Sequence, residues 1–295
     1  MKPSAVASSP VVTRFAPSPT GYLHVGHAYS AFFAYEAAMN AGGRFLLRID
    51  DLDKGRCRPE FVTAIREDLH WLGLVWEEPV RRQTEHLSEY AAALDRLQDM
   101  GVLYPCFCTR RDIAREIAES QQAPHGPDGH IYPGTCRDLL RFERQRRIEA
   151  GEPYALRLDV AKARRLVEGD LAFTDRKRGR VEAQPELLGD VVVARKDLGV
   201  SYNLAVVVDD AAQGVTLVTR GADLFHATHV QRLLQALLGL PVPEYEHHSL
   251  LVDEAGKRFA KRDRAKTLRA LRESGTTSRD LRRLLAQWRR SPEFL

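Results

Sequence analysis

The first fifty residues constrain the fold more than any other part of the sequence. VVTRFA (11–16) is rich in β-branched residues and predicts a short strand. The small and aromatic residues from Gly26 to Asn40 predict a helix, which a Gly-Gly pair closes, and RFLLRID (44–50) predicts a second strand. Strand, turn, helix and strand in this order form a βαβ unit. The pattern therefore predicts an α/β protein with a parallel sheet, in which the turn lies at the carboxyl ends of the strands.

The turn of this unit, PSPTGYLHVGH, carries the first candidate site. Backbone N–H groups and the positive end of the helix dipole favour an anion at the start of a helix. His24 and His27 lie on one face of the predicted helix, where two imidazoles donate hydrogen bonds to phosphoryl oxygens. Gly26 removes a side chain where a nucleotide would approach. Either histidine alone is more often an ordinary surface or core residue, but the register of strand, turn and glycine favours a nucleotide site.

Composition limits the class of protein. At 295 residues the chain exceeds a comfortable single core, which predicts one large domain with an insertion or two modest domains. Hydrophobic residues make up 44% and charged residues 28%, as in soluble globular proteins. No apolar run approaches the roughly 20 residues that a membrane helix needs, and MKPSAVASSP lacks the apolar stretch of a secretory signal. We therefore expect a cytoplasmic protein that does not contact a membrane.

The charge is distributed unevenly, although the net charge is only +4. Residues 256–290 contain 13 Lys or Arg against 3 Asp or Glu, and residues 137–180 contain 13 against 8. Two basic segments on an otherwise acidic chain are typical of a protein that binds a polyanion such as nucleic acid. Solvated helix faces produce similar runs, so charge alone leaves that alternative open.

Changes of pattern along the chain suggest three parts. Helices are predicted at FVTAIREDLHWLGL and SEYAAALDRLQDMG, and two or three buried strands at 190–221. Residues 105–190 begin with a stretch rich in Cys, Pro, Gly and His, and they are interpreted as an inserted module. Residues 1–104 and 191–245 would then form one discontinuous α/β domain. Residues 246–295 are basic and predicted to be helical.

Several motifs resemble the glutamyl-tRNA synthetase branch of the class I aminoacyl-tRNA synthetases. RFAPSPTGYLHVGH is similar to the signature of that branch, and its HVGH matches the HIGH motif with one conservative change. LLRIDDLD, SYNLAVVVDD, VTRGADL and KRFAKR follow in the order of the family, with KRFAKR in the place of the KMSKS loop. The resemblance implies a Rossmann-type nucleotide-binding catalytic domain that uses ATP as a substrate, with magnesium accompanying the ATP.

The resemblance also implies roles for individual residues. His24, Gly26 and His27 would bind ATP, and Lys261 would stabilise its phosphates from a mobile loop. The residues implied to bind glutamate are Arg14, Ser18, Asp50, Tyr202 and Arg220. Three positions depart from the family pattern: Asp50 stands where the family has Glu, Ala260 replaces the loop serine, and Val206 replaces an asparagine before what we interpret as a VVDD strand.

Three of the four cysteines predict a metal site. Cys106 and Cys108 form a CxC pair and Cys136 follows about thirty residues later, which suits a structural zinc ion in a module with little core of its own. His125 and His130 are conventional candidates for the fourth ligand, whereas the resemblance implies Tyr132. Three unrelated buried cysteines are the alternative, and Cys57 is interpreted as a thiol without a role.

The partner is also implied by resemblance. Only 33 residues follow KRFAKR, too few for the anticodon-reading region of glutamyl-tRNA synthetases. The chain therefore resembles the shortened branch that attaches glutamate to queuosine in tRNA(Asp), whose partner is the anticodon stem-loop. We expect a monomer. A minimal enzyme that charges an acceptor end and a non-catalytic RNA- or nucleotide-binding protein remain alternatives.

Overall fold

A computed structural model describes residues 10–109, 111–114, 125–127, 129–195, 199–250 and 267–289. Within these ranges the chain is an α/β protein whose strands form several sheets. The strands are β1 (Val12–Phe15), β2 (Arg44–Ile49), β3 (Glu77–Arg82), β4 (Leu103–Cys106), β5 (His125–Gly126), β6 (Gly129–His130), β7 (Ala155–Leu158), β8 (Ala172–Asp175), β9 (Gly179–Glu182), β10 (Val192–Arg195), β11 (Gly199–Val200), β12 (Leu217–Gly221) and β13 (Glu244–His248).

Helices flank these strands in the described ranges. They are α1 (Val25–Asn40), α2 (Pro59–Trp71), α3 (Leu87–Asp99), α4 (Arg141–Glu149), α5 (Val160–Leu166), α6 (Tyr202–Ala212), α7 (Ala227–Leu237), α8 (Leu268–Glu273) and α9 (Ser278–Arg289). The helices predicted from periodicity in the first hundred residues are confirmed as α1, α2 and α3, with ends that differ by about one to three residues.

The predicted βαβ unit is confirmed. β1 pairs with β2 in parallel, with Val12 opposite Arg44, and β2 pairs in parallel with β3. Helix α1 connects β1 to β2, and its start lies at the carboxyl end of β1. Several apolar residues of α1, among them Ala28, Ala31 and Phe32, are buried. This unit therefore places the HVGH turn at the edge of a parallel sheet, where ligands of open α/β sheets bind.

A second group of parallel strands continues this arrangement. β12 pairs in parallel with β13, and β13 pairs in parallel with β8. The group lies beside β1, because the Thr216 backbone N–H donates to the Val12 carbonyl at 3.0 Å. The carboxyl ends of β1, β2 and β12 thus face the same region of the molecule.

One secondary-structure prediction is wrong. Residues 202–212, interpreted as part of a run of buried strands, form helix α6, so Val206 lies on a helix and not before a strand. Helix α6 packs against α3, α7 and β10, and Leu204, Ala205, Val206 and Val207 are all buried. A helix that is covered on several sides needs no polar face, and its continuous apolar run then resembles that of a buried strand.

Strands from the predicted insertion pair with strands outside it. β8 joins β13, whereas β7 lies between β4 and β10 in an antiparallel sheet. The module boundaries at residues 105 and 190 stay a prediction. Strands on the two sides of these boundaries pair in the same sheets. Among the described helices, none is both long and apolar enough to cross a membrane.

Candidate active site

A cleft of about 640 Å³ opens at the carboxyl ends of β1, β2 and β12. Residues from four separate motifs of the sequence line it together. Those that sequence analysis had singled out are Arg14, Ser18, His27, Asp50, Tyr202 and Arg220. The parallel strands explain this convergence, because their carboxyl ends meet at one edge of the sheet.

The two histidines of HVGH form the start of α1. His24 is the N-cap residue, and its Nδ1 accepts the Gly26 backbone N–H at 3.1 Å, while His27 Nδ1 accepts the His24 backbone N–H at 3.1 Å. Because both Nδ1 atoms accept, each neutral ring carries its proton on Nε2. The ring centroids lie 3.8 Å apart. Two Nε2–H donors are thus held side by side at a helix N-terminus, and His27 lines the cleft.

Gly26 has a local reason to be glycine. A Cβ atom at this position would lie 3.0 Å from Cε1 and 3.1 Å from Nδ1 of the His24 ring. The missing side chain therefore leaves room for the capping histidine, in addition to any space it leaves for a nucleotide.

Arg14 lies at the floor of the cleft and is paired with a buried carboxylate. Its Nε and Nη2 donate to the two oxygens of Asp210 at 3.0 and 3.2 Å, and its Nη1 donates to the Thr219 carbonyl at 3.4 Å. Because Asp210 occupies the Nε–Nη2 edge of this guanidinium, a second carboxylate can contact only its outer end, away from that edge. Burial opposes ionisation of Asp210, but Arg14 and Arg48 outweigh it and lower the pKa of Asp210.

A residue that none of the sequence motifs pointed to, Arg48, organises this network. Arg48 is fully buried and donates to Asp50 at 2.8 Å and to Asp210 at 2.7 Å, with Asp209 at 3.6 Å. Burial raises the pKa of the Asp50 carboxyl, and the Arg48 guanidinium acts against this rise. Arg48, Asp209 and Asp210 could have been identified by one signal in the sequence. Each is a charged residue within or directly after an apolar run, in RFLLRID and VVVDD.

Arg220 also lines the cleft and is 6% exposed. Its Nη1 donates to Gln231 Oε1 at 2.8 Å, its Nη2 to Thr228 Oγ1 at 2.6 Å, and its Nε to His247 Nε2 at 3.1 Å. All three acceptors are uncharged. In the part of the chain that the structure describes, no ion pair to a carboxylate involves Arg220.

Neutral groups complete the lining. Tyr202 begins α6 and is 42% exposed, and Ser18 lies in the turn after β1. The hydroxyl oxygens of Ser201 and Thr219 are buried in the lining and have no hydrogen-bond partner among the described residues. Buried hydroxyls without partners are costly unless a ligand or water satisfies them. The cleft thus offers both cations and hydrogen-bonding groups.

The three cysteines form a separate cluster below β4. The sulfur atoms of Cys106, Cys108 and Cys136 lie within 4.8 Å of one another, and the Tyr132 hydroxyl lies 3.3 Å from Cys106 and 3.6 Å from Cys108. The hydrogen bond with Cys136 lowers the pKa of the Cys106 thiol to about 4, whereas burial raises the pKa of Tyr132. This donor set can surround one metal ion.

The KMSKS-like segment lies outside the described residues, and with it Lys261, Arg258 and Ala260. The chain that follows it returns to the HVGH turn. Thr267 forms an isolated antiparallel bridge with His24, and the Leu268 backbone N–H donates to the Leu23 carbonyl at 2.8 Å.

Comparison with known proteins agrees with the geometry. The model of the family "tRNA synthetases class I (E and Q), catalytic domain" matches residues 10–293. A glutamyl-Q tRNA(Asp) synthetase from Rhodobacter capsulatus is 49% identical over 93% of the chain and 99% of its own length. A glutamate–tRNA ligase from Aquifex aeolicus is 39% identical over 90% of the chain and 54% of its own length.

A solved structure has the same fold. The crystal structure of a glutamate tRNA ligase from Elizabethkingia meningosepticum has a TM-score of 0.72 and 29% identity, and the match covers 86% of this chain. The chain spans about half the length of that protein, 52% of its residues. The family match over residues 10–293 and the common fold lead to one conclusion: the chain belongs to the class I tRNA synthetases (E and Q) and comprises their catalytic domain.

Proposed function

We propose that the protein activates L-glutamate with ATP and transfers the glutamyl group to queuosine at the wobble position of tRNA(Asp). The observation that carries the proposal is the cleft, which combines the paired histidines at a helix N-terminus with a buried cation that has no carboxylate partner among the described residues. The choice of nucleic acid rests on the relatives named glutamyl-Q tRNA(Asp) synthetase, at 43–49% identity in several bacteria.

The first step would join the two small substrates. A carboxylate oxygen of glutamate attacks the α-phosphorus of ATP, forms a P–O bond, and displaces pyrophosphate, which gives glutamyl-adenylate. His24 and His27 would donate hydrogen bonds to the phosphates, and Lys261 would add positive charge as the transition state forms. Magnesium would accompany the ATP and neutralise part of its charge.

The amino acid would lie between Arg14 and Arg220. Arg220 is suited to a carboxylate of glutamate, because its hydrogen-bond acceptors among the described residues are all neutral. Arg14 would meet the other carboxylate with its outer end, and Asp50 would accept the ammonium group. Ser18 and Tyr202 would complete the pocket. Asp50 is one methylene shorter than glutamate, so this contact requires a small shift or a water molecule.

The second step would use a nucleoside hydroxyl. A hydroxyl oxygen of the queuosine cyclopentene-diol attacks the carbonyl carbon of the adenylate, AMP leaves, and an ester forms. The exposed arginines of α4, such as Arg141 and Arg146, would contact the tRNA backbone, with the basic residues of the last segment. We propose that a monomer in the cytoplasm performs this reaction on the anticodon stem-loop.

We also propose a structural zinc ion bound by Cys106, Cys108, Tyr132 and Cys136. The cluster fits this ion, because tetrahedral zinc with Zn–S bonds of about 2.3 Å separates its sulfur ligands by roughly 3.8 Å, and the Cys108 and Cys136 sulfurs lie 3.4 Å apart. The Arg157 guanidinium lies 3.7 Å over the Tyr132 ring, where positive charge favours a phenolate. When bound, the ion would hold this loop to β4.

The experiment that tests the proposal compares three RNA substrates. Labelled glutamate and ATP are incubated with tRNA(Asp) containing queuosine, with tRNA(Asp) lacking queuosine, and with tRNA(Glu). We expect label on the first alone. Label on tRNA(Glu) would identify a minimal charging enzyme instead, and no label on any RNA, with no pyrophosphate exchange, would support a binding role.

A further inference from the structure

The buried arginines of the cleft have different kinds of hydrogen-bond partner. Arg14 and Arg48 are hydrogen-bonded to carboxylates, with Asp210 shared between them. Arg220 is as deeply buried as Arg14, at 6% against 5% exposed, yet its partners are an amide, a hydroxyl and an imidazole. A buried cation without a counter-ion is costly and is retained only where something compensates for it. In the proposed function, that compensation is the carboxylate of the substrate.

The imidazole partner of Arg220 is itself oriented by a carboxylate. His247 Nδ1 lies 2.7 Å from Asp175 Oδ2, and both side chains are fully buried. The other oxygen of Asp175 accepts the backbone N–H groups of Lys177 and Arg178 at 3.0 and 3.1 Å. An ionised carboxylate with donors on both oxygens requires a proton on His247 Nδ1. His247 Nε2 is therefore an acceptor, as the bond from Arg220 Nε needs.

The charge state of His247 agrees with this geometry. Burial lowers the pKa of His247 to about 4, and the positive charge of Arg220 acts in the same direction. A second proton on the ring would place Nε2–H against the Nε–H of Arg220. The ring is thus neutral at physiological pH and presents one lone pair to the guanidinium.

We propose that Asp175 and His247 are positioning residues, which fix the orientation of Arg220 and keep its charge available for the substrate carboxylate. This inference rests on the proposed function. If Asp175 contacted Arg220 directly, the two charges would cancel within the pocket. The intervening imidazole transmits the orientation through hydrogen bonds and keeps the carboxylate one ring away. Neither Asp175 nor His247 lines the cleft itself.

The test distinguishes the roles of the two ring nitrogen atoms of His247. His247→Gln retains an acceptor near the Nε2 position, whereas His247→Asn retains a group near Nδ1 and loses the acceptor for Arg220. Asp175 is unsuitable for the test, because it also caps the turn between β8 and β9. His229→Asn is the matched control, since this histidine is buried in the same aromatic group and Asn retains an acceptor near the Nδ1 atom that accepts the Gln184 backbone N–H.

Glutamate binding is measured by calorimetry, with KM for glutamate, KM for ATP and kcat from pyrophosphate exchange. We expect His247→Asn to weaken glutamate binding about tenfold or more, the scale expected when a hydrogen bond to a charged group is lost, with KM for ATP unchanged. His247→Gln should stay within about threefold of the parent, as should His229→Asn. Equal losses for the Asn and Gln variants, or losses that match the control, would overturn the positioning role.

A spectroscopic readout keeps this test independent of the proposed function. In ¹⁵N NMR spectra of histidine-labelled protein at pH 7, the resonances missing from the His247→Gln spectrum identify His247. We expect protonated Nδ1 and unprotonated Nε2, and the opposite tautomer would overturn the inference. A parent protein that binds no glutamate but shows the expected tautomer would contradict the proposed function instead.

Discussion

Asp210 is the residue on which two buried arginines of the cleft depend. Arg14 and Arg48 both donate to it, and each of the three side chains is under 9% exposed. Asp210→Asn removes the negative charge but nearly preserves the shape, so two buried cations lose a counter-ion. We expect a loss of about 3–5 kcal/mol in the free energy of unfolding, measured by urea denaturation at pH 7.

The control for Asp210 is an exposed pair. Glu77 accepts from Arg44 at 2.7 Å, but both side chains are about half exposed. Glu77→Gln should change the free energy of unfolding by about 1 kcal/mol or less, because solvent screens the pair. If both variants lost equally little, the buried network would not have the stabilising role assigned to it.

The proposed role of Lys261 comes from the sequence and the family resemblance, and it predicts how a substitution changes the kinetics. Its charge should matter most when negative charge builds up at the phosphates, so Lys261→Ala should lower the rate of adenylate formation far more than the affinity for glutamate. Pyrophosphate exchange gives the rate and calorimetry the affinity. Lys257→Ala removes a charge from the same segment and serves as control. Equal losses in rate and affinity would exclude the transition-state role.

The residues proposed to bind a ligand could be identified from the sequence more readily than the residues that support them. Arg14, Asp50 and Arg220 stand at the ends of predicted strands, and the parallel sheet brings them to one cleft. Arg48 is hydrogen-bonded to Asp50 and His247 to Arg220, and their carboxylate partners Asp210 and Asp175 are distant in sequence. Pairing over 162 and 72 positions follows from the tertiary fold, which residue types and spacing do not specify.

At the scale of elements, local patterns predicted the helices that keep a polar face and failed at a helix that is covered on several sides. Helices α2 and α3 alternate buried and exposed residues, whereas α6 presents an unbroken apolar run. The pairing of β8 with β13 could not be predicted from local patterns either, because strand pairing across about seventy residues depends on the whole sheet.

The contact between α2 and α8 contains a buried acid with an unusual environment. Asp68 is fully buried, neither of its oxygens has a hydrogen-bond partner among the described residues, and Arg272 lies 3.8 Å away. Burial raises the pKa of Asp68 to about 6, although Arg272 acts against the rise. The folded protein therefore binds this proton more tightly than the unfolded chain, whose pKa is about 3.9.

This pKa predicts a pH dependence with a definite sign. The contribution of Asp68 to stability is complete below about pH 4 and is lost as pH rises through about 6. Asp68→Asn should then be about 2–3 kcal/mol more stable than the parent at pH 7, and the difference should shrink toward pH 4. Urea denaturation across this range measures it. Glu67→Gln, which neutralises an exposed partner of Arg272, should show no such trend; a constant gain for Asp68→Asn would contradict the assignment.

The cysteine cluster permits a prediction about the metal. Cys136→Ser removes one proposed ligand, so the purified protein should lose bound zinc and the loop that contains Tyr132 should become more susceptible to proteolysis. Cys57→Ser, which alters a cysteine outside the cluster, is the control. Elemental analysis gives the zinc content. One full equivalent of zinc in the Cys136 variant would refute the ligand assignment.

At the scale of the whole molecule, the last described segment closes onto the first. Leu268, Leu281 and Leu285 are buried in one core with residues of α1 and α2. Before the KMSKS-like segment, Leu250 lies against Gly221 at the cleft edge. After the segment, Thr267 is bridged to His24. The chain on both sides of Lys261 is therefore anchored beside the cleft.

This anchoring predicts that packing of α9 affects catalysis from a distance. Leu285 is 4% exposed, and Leu285→Ala should cost about 2–5 kcal/mol through lost burial and a cavity. Leu284 on the same helix is 40% exposed, so Leu284→Ala provides the same substitution with little expected effect. In pyrophosphate exchange at a temperature where both variants stay folded, the Leu285 variant should show a raised KM for ATP and an unchanged affinity for glutamate, because loosening α9 disturbs the anchor of the Lys261 segment but not Arg220. Equal kinetics for the two variants would mean that the last helices stabilise the fold without positioning that segment.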